Sequence, residues 1–464
     1  MDTIRFGTDG WRSRMDDDFT DSNVRRVAEG IADYIVATKG KRVFVGYDGR
    51  ARSRNFAETC ATVLATNGIE SLISPRPVPT PVSAFAAVRY SLAGAIMITA
   101  SHNPAIYNGI KFIPYYGGPA TNEITAQIEA MIPEEAKEFG DLERLMRSGM
   151  VVGLDPIEDY ILHLETLLSL KNLKVRVAVD PMHGATSGII EKILIELGAD
   201  VRVIRGKIDD QFGGSVPDPV PNNLGGLRNL TLESGSSLGI ALDGDGDRLA
   251  VVTDEGRFLM ANQLLPLVYL HLLDKRSIFG DAARTVATSH LVDSVAAGNG
   301  RKVIETPVGF KYIGELLREK KVIIGGEESG GMSLITHIPE KDGIASALMV
   351  IEDILLSGST LGNIMSNITT ACGRFESARL DIRLPHIPSL SGLEKLLGSQ
   401  ILGKNVIKTS KLDGLKVILD DGSWLLFRIS GTENVIRVYS ESSSPEATSG
   451  LLRFGEDAVH KLLS

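Results

Sequence analysis

Leu238-Gly239-Ile240-Ala241-Leu242-Asp243-Gly244-Asp245-Gly246-Asp247-Arg248 runs five mostly aliphatic residues into three aspartates separated by glycines. The apolar run reads as a short buried strand, and the glycines at its end read as a tight turn. Alternate side chains of an extended segment share a side, so the three carboxylates converge. Carboxylates held that close repel one another unless a hard cation sits between them, and Mg²⁺ fits a set of oxygen donors with positions left open for a phosphate oxygen. A calcium-binding helix–loop–helix also spaces acidic residues by two. Here, however, Arg248 stands where that loop needs Gly, and Asp254 where it needs Glu. Arg248, directly after the carboxylates, supplies a second contact to the same phosphate.

The plan around this stretch occurs twice more. Ala95 to Thr99 runs into Thr99-Ala-Ser101-His102-Asn103-Pro104, and Lys321 to Ile324 runs towards Gly326-Glu327-Glu328-Ser329-Gly330-Gly331. Each of the three strands follows a helix-like stretch, and before that an earlier apolar strand: Val43 to Val45, Val175 to Val179 and Thr285 to Ala287. One α/β unit used three times is the simplest account, and ligands of such sheets gather beyond the strand C-termini, so three loops can line one cleft. After Phe375 the pattern changes to strands with a hairpin turn at Asp420-Asp421-Gly422. The expected fold is therefore α/β: three related α/β domains with mixed sheets plus a smaller C-terminal α+β domain around a central cleft. The expected divisions are 1–150, 151–255, 256–373 and 374–464.

A length of 464 residues suits three or four domains, and 43% hydrophobic with 23% charged residues suits a globular chain. A formal net charge of -9 argues against nucleic-acid binding and requires any anion site to gather its cations locally. Cys60 and Cys372 stand far apart in no metal-ligand spacing and read as free thiols in a reducing compartment. No signal-peptide pattern or membrane-length apolar run occurs, so a cytoplasmic protein without membrane partners is expected. No G-x-G-x-x-G follows a strand, and Gly398 to Asn405 lacks the Ser or Thr that completes a P-loop.

A lone serine is a weak nucleophile, and Ser101 lies in no G-x-S-x-G elbow, so the metal loop is its candidate activator. His102 stands next to it. Lys111, in Tyr107-Asn-Gly-Ile-Lys111-Phe, follows on the next strand as an anion clamp or proton carrier. In the third loop Glu327 and Ser329 offer acceptors for sugar hydroxyls. In the last domain Arg428, Ser430, Gly431, Thr432 and Arg437 combine two guanidinium groups, two hydroxyls and backbone N–H groups into a phosphate nest.

Together FGTDGWR at 6–12, TASHNP at 99–104, DGDGDR at 243–248, GEESGG at 326–331 and RISGTENVIR at 428–437 resemble the α-D-phosphohexomutase superfamily, in that family's order and over essentially the whole chain. The resemblance implies Ser101 carried as phosphoserine, and one Mg²⁺ per chain on Asp243, Asp245, Asp247 and that phosphate. It implies Arg12, Arg248 and Lys111 around the transferring group, and Glu327 and Ser329 on the sugar. Arg428, Ser430, Thr432 and Arg437 would hold the phosphate that is not reacting. The implied activity is interconversion of hexose 1- and 6-phosphates through a hexose 1,6-bisphosphate, which also serves as activator. The intermediate must turn around, so the C-terminal domain is expected to rotate. TPVGFKY at 306–312, GEESGG and HIPEKDG at 337–343 look closest to phosphoglucomutases, with phosphomannomutase and phosphoglucosamine mutase as alternatives. Several phosphomannomutase-like members carry His where Gly331 stands, which leaves the proton carrier open among Lys111, His102 and Lys311; Lys311 serves equally as a phosphate or carboxylate contact. A silent sugar-phosphate sensor and a bisphosphate synthase are the readings from other classes. The expected partners are hexose phosphates, and the expected assembly is a monomer or homodimer.

Overall fold

The computed structural model describes residues 4–7, 9–384, 389–429 and 434–463. Its first sheet has six strands in the order Trp11–Arg14, Tyr107–Pro114, Gly94–Ile98, Arg42–Tyr47, Glu70–Ile73 and Val151–Gly153. The second orders Phe258–Leu259, Leu249–Thr253, Leu238–Leu242, Arg176–Asp180 and Asp200–Val203, and the third Val303–Thr306, Ala282–Thr285, Ile324–Gly326 and Met332–Leu334.

The three sheets repeat one topology. In each, the first strand of the core (42–47, 176–180 or 282–285) pairs parallel with two neighbours. The later of those neighbours then turns back into an antiparallel partner. The three loops singled out in the sequence are the links between these last two strands, so they occupy the same topological place three times. The sequence reading skipped the middle parallel strand of each unit, at 70–73, 200–203 and 303–306. In the third unit the strands lie at 282–285 and 324–326 rather than 285–287 and 321–324, although Ile323 N still donates to Asp281 O at 2.9 Å just ahead of the paired residues. Sheet edges also overrun two expected divisions: Val151–Gly153 pairs with Glu70–Ile73, and Phe258–Leu259 pairs with Leu249–Thr253. Strands of two or three residues carry too little periodicity to be seen in sequence.

Helices cover the sheets through regular apolar faces. Asp21–Ala37 begins on a Thr20 hydroxyl that accepts from Asn23 N, and buries Val24, Val27, Ala28, Ile31 and Ile35 at helical spacing. One hydrophobic cluster runs through all three units, from Phe44 and Phe85 through Tyr160 and Val177 to Val268 and Leu348. Gly343–Ser357 and Leu361–Cys372 are jointly apolar enough to cross a bilayer but bend by 86°, and among the described residues no single helix is long and apolar enough to do so.

The fourth sheet, ordered Glu376–Arg383, Val435–Ser442, Trp424–Ile429, Leu415–Leu419, Lys404–Ser410 and Gln400–Ile401, is antiparallel and has its own core around Leu393, Val417, Phe427 and Val438. It meets the third unit through a small apolar patch of Val286, Ala287, Trp424, Leu426 and Tyr439. Beside that patch, buried Lys416 donates to Val286 O at 2.7 Å and Glu305 Oε1 at 3.1 Å.

Candidate active site

A cleft of about 1350 Å³ opens between the four units, and side chains from each line it. On its floor the serine and aspartate loops touch: Ser101 Oγ donates to Asp243 Oδ2 at 2.7 Å. Ser101 holds φ at 50°, in the left-handed region that non-glycine residues rarely adopt, with its N–H on Thr99 Oγ1 at 2.8 Å. A Cβ at Gly244 would fall 2.5 Å from the Ser101 carbonyl oxygen, so glycine is what lets the two loops close.

Asp243, Asp245 and Asp247 are buried, and one oxygen from each lies within 4.8 Å of the others. Lys111 Nζ stands 2.9 Å from Asp245, 3.0 Å from Asp247 and 2.9 Å from Asp9. Lys341 Nζ stands 3.1 Å from both Asp9 and Asp247, and the Thr80 hydroxyl donates to Asp245 at 2.6 Å. Asp245 Oδ1 and Asp247 Oδ1 are buried without a hydrogen-bond partner. Burial, then Asp245 and Asp247, push the Asp243 carboxyl well above its usual range. Burial acts the same way on Asp245, but Lys111 overrides it and holds that carboxyl low. Orphaned oxygens and an all-oxygen donor set fit a hard divalent cation.

Cations frame the serine. Arg12 donates to Asn103 Oδ1 at 3.1 Å, and the Arg248 backbone N–H donates to Asp243 Oδ1 at 3.1 Å. His102 Nδ1 is 3.4 Å from Ser101 Oγ, and burial followed by Arg248 and Arg12 keeps that ring neutral. In the third loop Glu327 Oε1 accepts from Gly309 N at 2.9 Å, and burial pushes its carboxyl up to about 7. Ser329 lines the cleft, as does Lys311, whose ammonium donates to Asn122 Oδ1 at 2.5 Å. On the far wall Arg428 and Arg437 sit opposite each other on neighbouring strands. Ser430, Gly431 and Thr432 lie outside the described residues.

The structure thus gathers Ser101, His102, Lys111, Arg12, Arg248 and the three aspartates at one end, with Glu327, Ser329 and Lys311 beside them and Arg428 and Arg437 across the cleft. Sequence reasoning missed Asp9, Thr80 and Lys341. Lys341 carried no local signal; its place shows only in the fold, where a Cβ at Gly331 would fall 2.3 Å from Lys341 Cδ, so the lysine stem fills the room left by the missing side chain.

Family models of the phosphoglucomutase/phosphomannomutase α/β/α domains I, II and III match residues 3–139, 158–256 and 260–371, and the model of the C-terminal domain matches 391–453. A Thermococcus kodakarensis protein described as a phosphoglucomutase/phosphomannomutase is 30% identical over 99% of both chains. One from Methanothermobacter thermautotrophicus described as a phosphoglucosamine mutase is 32% identical over 95% of this chain and 94% of its own. A crystal structure from Thermus thermophilus described as a phosphomannomutase superposes with a TM-score of 0.88 at 32% identity, over 99% of both chains.

Proposed function

We propose a specific activity for this chain, which belongs to the phosphoglucomutase/phosphomannomutase family of the α-D-phosphohexomutase superfamily: it interconverts glucose 1-phosphate and glucose 6-phosphate through phosphorylated Ser101. The observation that carries this reading is the hydrogen bond from Ser101 Oγ to Asp243, the first of three converged carboxylates.

The free hydroxyl oxygen of the hexose monophosphate attacks the phosphorus on Ser101. A new P–O bond forms, the P–Oγ bond breaks, and the proton released by the sugar hydroxyl is balanced by the one the departing Ser101 Oγ takes up to become a free hydroxyl. The product of this half is glucose 1,6-bisphosphate, and the return half runs the same exchange at the other end of the sugar. Phosphoryl transfer is mostly positioning and charge stabilisation. Lys341, Arg12 and Arg248, which line the cleft, and Lys111 beside the aspartates would supply N–H donors for the charge on the phosphoryl oxygens. Asp243, Asp245, Asp247 and the Ser101 phosphate would hold one Mg²⁺, which when bound supplies further stabilisation of that charge. Glu327 and Ser329 take the sugar hydroxyls, Lys311 stands as a further anion contact, and Arg428 and Arg437, with Ser430, Gly431 and Thr432, take the second phosphate. GEESGG and HIPEKDG, arranged as in phosphoglucomutases, favour glucose.

Intact mass of the purified chain and coupled rates on glucose, mannose and glucosamine 1-phosphates with Mg²⁺ test the reading. Phosphorylated protein with the highest kcat/KM on glucose 1-phosphate is expected. A higher value on mannose or glucosamine 1-phosphate reassigns the substrate. Unphosphorylated chain that binds sugar phosphate without turnover makes it a sensor, and accumulation of bisphosphate makes it a synthase.

A further inference from the structure

We propose that Arg50 is a positioning residue for Ser101, its guanidinium fork holding the serine loop in the shape that presents the hydroxyl to Asp243; the role matters for turnover only if the phosphoserine reading above holds.

Arg50 lies outside the cleft, and its side chain has no exposed surface. All five of its N–H bonds have work. Nη2 donates to Ser101 O at 2.5 Å and Asn103 O at 2.7 Å, while Nη1 donates to Pro104 O at 2.8 Å and Tyr107 O at 3.2 Å. Nε donates to Asp48 Oδ2 at 3.0 Å. Asp48 is fixed in turn by the Ser53 hydroxyl at 2.7 Å, and Ser53 Oγ accepts from Asn108 Nδ2 at 2.9 Å. The Phe212 ring, contributed by the second unit, covers the guanidinium at 4.7 Å.

A buried ion pair is a poor way to gain stability, because desolvation takes back most of the attraction. What this one gains is shape. Four carbonyls from seven consecutive residues point at one cation, and the first belongs to Ser101, whose left-handed backbone persists only where its surroundings over-determine it. Lysine cannot substitute, since a single ammonium lacks the planar fork that meets several carbonyls at once.

The second unit supplies an internal control. At the equivalent strand end Asp180 pairs with Arg205, through Nε at 2.9 Å. Arg205 Nη2 donates to Asn223 O at 3.0 Å, away from the aspartate loop. An aspartate at the end of the core strand therefore holds an arginine in both units, but Arg50 follows the core strand and Arg205 the middle one, and of the two it is Arg50 that grips the loop after the neighbouring strand, the loop that carries the serine.

The test uses full-length Arg50→Lys, Phe212→Leu and Arg205→Lys, with Mg²⁺ and whichever hexose 1-phosphate the unmodified chain turns over fastest. Arg50→Lys is expected to lower kcat by about 10²-fold with KM within about twofold. Amide hydrogen exchange should accelerate over 99–107 and not elsewhere. Phe212→Leu should move kcat and exchange the same way by less, and Arg205→Lys should lower Tm while leaving kcat unchanged. A folded Arg50→Lys with unmodified kcat, or one whose exchange rises evenly along the chain, overturns the proposal. Should Arg50→Lys fail to fold, Phe212→Leu decides, and full kcat with a lowered Tm overturns it. If the unmodified chain carries no phosphate and turns over none of the three sugar phosphates, the mutase reading fails instead, and the exchange pattern over 99–107 alone decides whether the clamp exists.

Discussion

The two ends of the cleft handle charge in opposite ways. On the floor, Lys111 is 3% exposed, Lys341 7%, Asp247 1% and Asp245 not at all, and each ammonium meets two or three carboxylates within 3.1 Å. Across the cleft Arg428 and Arg437 are 12% and 29% exposed, and their carboxylates, Asp413 at 2.8 Å and Asp381 at 3.6 Å, are each about a quarter or more exposed. Buried charges cost several kcal/mol to desolvate and are tolerated when every partner is fixed, whereas exposed pairs are worth about 0–1 kcal/mol and exchange readily. The proposed reaction, in which the intermediate turns around, needs both kinds of wall. The floor must keep its geometry while charge moves across it. The far wall must be able to trade a carboxylate for a phosphate and let go again.

Removing the oxygen at the centre of the floor has the largest expected effect. Ser101→Ala should abolish turnover and the covalent phosphate, with Tm close to that of the unmodified chain; retained turnover would break the assignment. Lys341→Met comes next. It leaves Asp9 and Asp247 facing each other with one cation fewer, and loss of one partner from a buried pair costs about 3–5 kcal/mol of stability. Thermal melting should show that drop together with a large fall in kcat. Arg437→Ala tests the other wall. Loss of a hydrogen bond to a charged group, about 1.5–3 kcal/mol, should lower kcat/KM by roughly 10–100-fold with Tm hardly moved. Equal Tm losses for Lys341→Met and Arg437→Ala would erase the contrast between floor and wall.

Glu327 lies between the two regimes. Burial raises its carboxyl to about 7, so the folded chain binds a proton that the unfolded chain has lost above its ordinary value. The group therefore lowers stability as pH rises from that value through about 7, and above about 7 it becomes a charged hydrogen-bond acceptor, the form the proposed sugar contact needs. kcat/KM for the unmodified chain should rise from pH 6 to 8 more steeply than for Glu327→Gln, by up to about tenfold. Parallel profiles would remove Glu327 from the sugar site.

How much of this was legible in sequence follows from where each signal is stored. The aspartate loop could be read because its chemistry is local: strand, glycines and carboxylates are consecutive. The serine loop acquired meaning through its likeness in position to the aspartate loop, and the repeated sheet topology is the physical basis of that likeness. Lys341 and Asp9 could not be placed, because each makes its case through partners hundreds of residues away: Lys341 reaches back 332 residues to Asp9. Arg50 was hidden for a different reason. An arginine in a polar loop reads as solvated surface, and here its carbonyl partners stand more than fifty residues along the chain. The short strands at 70–73, 200–203 and 303–306 were missed because their pairing, and not their composition, makes them strands.

The smallest expected effect sharpens the comparison most. Asp413 accepts from Arg428 Nε at 2.8 Å and also from Val308 N, in the third unit, at 2.9 Å. One carboxylate therefore ties an arginine of the far wall to the backbone of the neighbouring unit. A phosphate arriving at Arg428 competes with Asp413, and every loss of that carboxylate also removes a fastener between the third and fourth units. Because the pair is partly exposed, Asp413→Ala should cost no more than about 1 kcal/mol in stability and less than about fivefold in kcat/KM. Its mark should appear in processivity: on the proposed mechanism, with the fastener gone the fourth unit opens more freely, and a larger share of turnovers should release the hexose bisphosphate before the second transfer. Trapping the released bisphosphate during turnover measures that share. An unchanged share would mean that the Lys416 contacts and the apolar patch beside them hold the fourth unit without Asp413, and that the pliability of the far wall ends at its own side chains.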